Sequence, residues 1–143
     1  MKPRSQPPIF IDTCALSDKG FNWWVKEYIG SKSISSVVYM EYSLYCYGKG
    51  QDQNLVDKKI RSMGITITPF NKEQAKKAAE IMMGMDRDRR CESCGNINWN
   101  DVMIAADTPC APTILVTKNI KDFEPLIDWK GRLKTPMELM RAG

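Results

Sequence analysis

The sequence predicts an α/β fold, a three-layer α/β/α sandwich with a central, mainly parallel sheet. Three observations predict it. Short apolar, β-branched runs alternate with segments of helical period, and strands that alternate with helices form parallel sheets covered on both faces. The 143 residues are enough for a domain with its own core, and 43% apolar against 27% charged residues is an ordinary globular balance. No repeat, low-complexity tract or linker divides the chain, so residues 1–143 read as one domain.

Each element follows in order. Residues 8–12, containing Ile9-Phe10-Ile11, form the first strand, since an apolar run this short reads as a buried strand. Residues 15–28 carry Leu16, Phe21, Trp24, Val25 and Tyr28 at roughly helical spacing, with Asp18-Lys19-Gly20 either interrupting the helix or starting it late. The second strand, 33–37, runs into a helix over 39–47 that Gly48-Lys49-Gly50 ends. A helix over 53–63 turns Leu55, Ile60 and Met63 inward, and the alternating Ile65-Thr66-Ile67-Thr68-Pro69 is the third strand. Asn71 with Gln74 is a capping-box pattern opening a helix whose apolar face is Ala75, Ala78, Ala79, Met82 and Met85, and which closes in the charged stretch 86–90. Asn98 or Asn100 caps a helix over 101–107, which Pro109 and Pro112 stop. Residues 113–117 are the fourth strand, 118–123 a loop, 126–129 a weak fifth strand and 136–140 a short helix.

Composition removes several chemistries. There is no histidine, so Ser-His-Asp and Cys-His catalysis, His-based zinc sites and imidazole bases are excluded. Carboxylates acting through hard divalent cations remain the natural option. Five cysteines, an odd number, with no secretory core after the basic N-terminal residues, predict reduced thiols and a cytoplasmic protein. No apolar run approaches the ~20 residues of a membrane span. Cys91 and Cys94 form a C-x-x-C pair that reads as an ordinary loop feature, as half of a metal site shared across a dimer, or as a disulfide. The net charge of +4 is mild, but four acids gathered in one site leave 13 acids elsewhere against 21 Lys and Arg, a surface suited to a polyanion such as RNA or simply to solubility.

Four acids are candidates for such a site. Parallel strands with right-handed crossovers bring their C-terminal ends to one edge. Asp12 ends strand one, Glu41 lies early in the helix after strand two, Asp101 opens the helix before strand four, and Asn119 and Asp122 follow strand four. Glu41 and Asp101 also have a plainer explanation, as acids favoured by a helix N-terminus. Asp12 has none, because a carboxylate closing an apolar strand needs a partner. Asp107 is excluded, since six residues turn ~240° about a helix and carry it away from Asp101. Clustered carboxylates raise one another's pKa unless a cation intervenes; Mg²⁺ or Mn²⁺ resolves this and supports phosphodiester hydrolysis.

The segments IFIDTCAL, SSVVYMEY, NWNDVMIAA and ILVTKNIKDFE, in this order, resemble the motifs of PIN-domain ribonucleases, particularly the VapC-type toxins of toxin–antitoxin pairs. The resemblance spans nearly the whole chain. It implies a PIN-like sandwich, often dimeric, that cleaves RNA with Mg²⁺ or Mn²⁺ and is inhibited by a small antitoxin. It places Asp12, Glu41 and Asp101 on the three core acids and Thr117 on the hydroxyl ending strand four. Asp122 falls on the fourth acid, with Asn119 as a supporting or substrate contact and Thr13 beside Asp12. Lys118, Lys121, Arg87, Arg89 and Arg90 are candidate RNA contacts. Three features depart from the pattern: Cys14 stands where Asn or Ser is commoner, the C-x-x-C loop lies outside it, and residues 134–141 extend beyond a minimal toxin.

The sequence therefore predicts a metal-dependent endoribonuclease and a homodimer with an antitoxin partner. Two alternatives share the fold: a catalytically silent nucleic-acid- or protein-binding module, and an RNA-processing nuclease that is not a toxin. A haloacid-dehalogenase-type phosphohydrolase using Asp12 as nucleophile expects a second Asp two residues on, where Cys14 stands.

Overall fold

A computed structural model describes residues 6–84, 98–127 and 132–142. Its centre is β1 (Ile9–Ile11), buried along its whole length, as is β4 (Ile114–Val116) beside it. The sheet continues on one side through β2 (Lys32–Ser35) to β3 (Thr66–Thr68) and on the other to β5 (Leu133–Lys134). The order is β3-β2-β1-β4-β5 and every pairing is parallel. Phe10 lies opposite Ser33 on one side and Leu115 on the other. The chain steps outward from β1 to β3 and then returns past β1 to β4. Crossovers of one hand therefore put helices on both faces, and the direction reverses between β1 and β4.

The local chemistry explains the helices. Asp12 caps α1 (Thr13–Leu16), and Asp18 restarts the helix as α2 (Lys19–Glu27) by accepting from the Phe21 N–H, so of the two readings of Asp18-Lys19-Gly20 the interruption holds. Phe21, Trp24 and Tyr28 stack along α2, and Trp23 faces out. Next, α3 (Ser36–Gly48) begins three residues before the expected start. The β-branched Val37-Val38 reads as strand, but the Ser35 side chain accepts from the Val38 N–H, and that cap starts the helix. In α4 (Gln53–Ser62), Val56, Ile60 and then Met63 are buried, whereas Leu55 turns outward. Gly64 ends that helix at φ +71, a left-handed conformation suited to glycine.

The helix α5 (Lys72–Gly84) has the reciprocal cap predicted from Asn71 and Gln74. Its buried contact is narrower than expected: Ala78, Ile81 and Met82 pack against Val102 and Ala106 of α6 (Trp99–Asp107), while Ala75 and Ala79 are exposed. Two expectations near the C-terminus are corrected. Residues 120–123, expected as loop, form the short helix α7 (Ile120–Phe123); of the strand expected over 126–129, residues 126 and 127 are not strand and 128 and 129 lie outside the described residues, and the last described strand is Leu133–Lys134. Leu126 and Ile127 are instead held to α7 by bonds from their N–H groups to the Phe123 carbonyl. The chain closes with α8 (Pro136–Ala142). No helix among the described residues is long and apolar enough to cross a membrane.

Candidate active site

The site lies at the C-terminal ends of β1 and β4, where the strand order reverses, the place where open parallel sheets form a crevice. Asp12 follows β1 directly, and its N–H still pairs with the Val116 carbonyl at 2.9 Å. Its side chain is 4% exposed and held by three donors. Oδ1 accepts from the Thr13 N–H at 2.8 Å, and Oδ2 accepts from the Thr117 hydroxyl at 2.8 Å and from the Cys14 thiol at 3.2 Å. This supplies the partners that the buried carboxylate requires.

Glu41 arrives from the second turn of α3, beyond the first-turn positions where the helix dipole alone explains an acid. Its Oε1 accepts from the Thr13 hydroxyl at 2.8 Å and its Oε2 from the Asn100 amide at 3.2 Å. Asp101 lies in the first turn of α6, whose cap is Asn98, accepting from the Asp101 N–H. Asp122 lies in α7, exposed.

Asp101 shows that these groups converge. Its carboxyl is pushed up to about 7, chiefly by burial and then by the charges of Asp12, Asp122 and Glu41. Asp101 thus lies within electrostatic reach of the other three predicted acids. Among the described residues, no three acidic or cysteine side chains are gathered closely enough to hold a metal ion as they stand. The donors fit a hard divalent cation: all are carboxylate oxygens, no basic side chain hydrogen-bonds or pairs with Asp12 or Glu41 in the contacts described above, and Mg²⁺ binds through one or two carboxylates while retaining waters.

The remaining predicted residues divide. Thr13 and Thr117 are both in the site, and Thr117 also accepts from the Asn119 N–H at 3.0 Å. The Asn119 side chain makes no capping bond to α7 and is exposed. Lys118 is ion-paired with Asp18 at 2.9 Å, which ties it back to α2. Lys121 is exposed on α7. Arg87, Arg89, Arg90, Cys91 and Cys94 lie outside the described residues. Cys14, a departure from the motif, takes part in the site: besides bonding Asp12, its sulfur accepts from the Lys118 N–H at 3.2 Å. Burial, followed by the charge of Asp12, raises its thiol pKa. Cys14, Cys46 and Cys110 are free thiols. Asp107 is elsewhere, buried and accepting from the Thr68 hydroxyl at 2.7 Å. Asn100 was missed as a site residue; its one signal was a short amide directly before a candidate acid.

No protein-family model and no curated protein sequence matches the chain. Solved structures do. VapBC-1 from nontypeable Haemophilus influenzae aligns at 17% identity with a TM-score of 0.62, covering 91% of this chain and 98% of that one. VapBC2 from Rickettsia felis, bound to a DNA fragment from its promoter, aligns at 19% identity and 0.61, covering 90% and 98%. A toxin–antitoxin complex from Klebsiella pneumoniae aligns at 17% and 0.62, covering 90% and 97%. At these identities the likeness carries the fold: this chain is a parallel α/β protein with the architecture found in these VapBC and toxin–antitoxin structures.

Proposed function

We propose that the chain is a metal-dependent endoribonuclease, the toxin of a toxin–antitoxin pair, working in the cytoplasm. The observation that carries this reading is the convergence of Asp12, Glu41, Asp101 and Asp122, felt by Asp101 as a pKa of about 7. Burial and three neighbouring carboxylates both oppose a further negative charge at Asp101, which supports a site that takes a positive partner. The fold shared with toxin–antitoxin structures supports an antitoxin partner, and a homodimer is part of the proposal.

Asp12, Glu41, Asp101 and Asp122 would hold Mg²⁺ or Mn²⁺. Such an ion supplies activation of water and neutralisation of phosphodiester charge. The reaction is hydrolysis: a water oxygen bonds to phosphorus, a P–O ester bond breaks, and the leaving oxygen takes a proton. The protein's part is positional. Thr117 and Cys14 fix Asp12, Thr13 fixes Glu41, and Asp101, its carboxyl raised to about 7, would be the ligand that has a proton to lose. Lys121 at the rim, and Lys118 when released from Asp18, guide the RNA backbone.

The test is cleavage of a mixed pool of tRNA and structured RNA by antitoxin-free protein, with Mn²⁺, with Mg²⁺ and with EDTA. Metal-dependent cutting that EDTA stops is expected. A folded protein that binds RNA and never cuts it would turn the reading to a binding module.

A further inference from the structure

We infer that Asn100 is a positioning residue for Glu41: its amide and the Thr13 hydroxyl grip the carboxylate from opposite sides and aim it into the crevice. The inference rests on the cation-site reading above. Glu41 has three side-chain torsions and projects from mid-helix, where no backbone donor is free to bond it. Left alone, such a side chain pays entropy to hold one direction. Here each oxygen has its own donor, Thr13 at 2.8 Å on Oε1 and Asn100 at 3.2 Å on Oε2.

The two donors come from different elements, α1 and α6, so the grip joins three parts of the fold at one carboxylate. Both donors are neutral. They orient the group and leave its charge unspent, whereas a lysine or arginine in either place would cancel it. Each oxygen keeps a lone pair for a ligand. The amide's orientation follows from chemistry, because a flipped amide would set Oδ1 against a carboxylate oxygen.

Asn100 is also free for this task. Capping of α6 falls to Asn98, so the Asn100 side chain is not spent on the helix end. It directly precedes Asp101, so the turn that delivers the Asp101 carboxylate also delivers the grip on Glu41. The spacing between two candidate ligands is thereby built into one residue pair. Outer-shell donors of this kind typically change metal affinity or activity ~10–100-fold when removed.

The test measures Mn²⁺ binding to the RNA-free protein by electron paramagnetic resonance, and RNA cleavage beside it. Asn100→Leu keeps the side chain's approximate shape and removes the donor; Asn100→Gln keeps a donor. Asn100→Leu is expected to weaken Mn²⁺ binding about 10-fold and to lower kcat by about as much, with KM for RNA changed less than about twofold. Asn100→Gln recovers most of the loss. In a Glu41→Gln background, Asn100→Leu adds less than about twofold, since the residue acts through Glu41. A purely structural asparagine would lower the melting temperature and leave Mn²⁺ affinity alone. A folded Asn100→Leu protein with wild-type Mn²⁺ affinity overturns the inference, as does an undiminished effect in the Glu41→Gln background. Wild type that binds Mn²⁺ without cutting RNA sinks the nuclease proposal, while the binding series still decides the role of Asn100. Wild type that binds no Mn²⁺ overturns both.

Discussion

The Thr117 hydroxyl donates to Asp12 Oδ2 at 2.8 Å, joining residues 105 apart in sequence at the ends of the two central strands. The Thr117 hydroxyl oxygen in turn accepts from the Asn119 N–H. Thr117→Val keeps the shape and leaves both partners short of a bond in a fully buried place. A loss of about 1–3 kcal/mol is expected, read as a lower urea midpoint with unchanged slope. Thr117→Ser keeps the hydroxyl and should stay within about 1 kcal/mol of wild type. Equal losses from both variants would mean that the methyl contributes as much as the hydroxyl and that the bond to Asp12 is not special.

Asp12→Asn removes charge from the centre of the acidic group with little change of volume. It should lower cleavage at least about 100-fold at saturating Mn²⁺, on the scale of a lost electrostatic contact at a reacting centre. The fold should survive, because the amide oxygen still accepts from Thr13 and a hydroxyl at Thr117 can turn to accept. Circular dichroism and cleavage on the same sample check this. Full activity in the variant would remove the mechanism.

The fold itself was largely legible. Ile9-Phe10-Ile11 and Ile114-Leu115-Val116 announce buried strands because a central parallel strand has no polar face. Asp12 was legible for the same reason, since nothing polar belongs at that spot without a purpose. The register of α3 was not legible: Val37 and Val38 favour strand by propensity, and only the Ser35 cap decides otherwise. The last strand was misplaced because β5 is two residues long, too short for periodicity to speak. Asn100 escaped for a third reason: its contact with Glu41 spans 59 residues, and no local pattern encodes that.

Asp101 gives the pH dependence. Its folded pKa, about 7, lies above the ordinary 3.8. Between these values the metal-free folded chain binds more protons than the unfolded one. The stability this group contributes is therefore present at low pH and is lost as pH rises toward 7. Denaturation of EDTA-treated protein across pH 4–8 should show that decline, and saturating Mg²⁺ should flatten it. Apparent metal affinity should rise by up to about tenfold per pH unit below 7 and level off above, because a proton must leave as the cation arrives. A metal affinity flat from pH 5 to 8 would contradict it.

Asp107 is the control within the same helix. It is buried, its pKa raised chiefly by burial, and bound to Thr68 on the edge strand, away from the other acids. Asp107→Ala should cost about 1–3 kcal/mol of stability by leaving the Thr68 hydroxyl without that acceptor. At temperatures where the variant is folded, kcat should match wild type within about twofold. A selective loss of turnover would place Asp107 in the chemistry after all.

The reversal of strand order between β1 and β4 has a consequence for timing. Asp12 leaves the ribosome 105 residues before Thr117, whose hydroxyl completes its surroundings. No partial product holds the crevice, because β4 must slot beside β1 before the acids meet. Whatever the crevice does, it can begin only once β4 has joined β1.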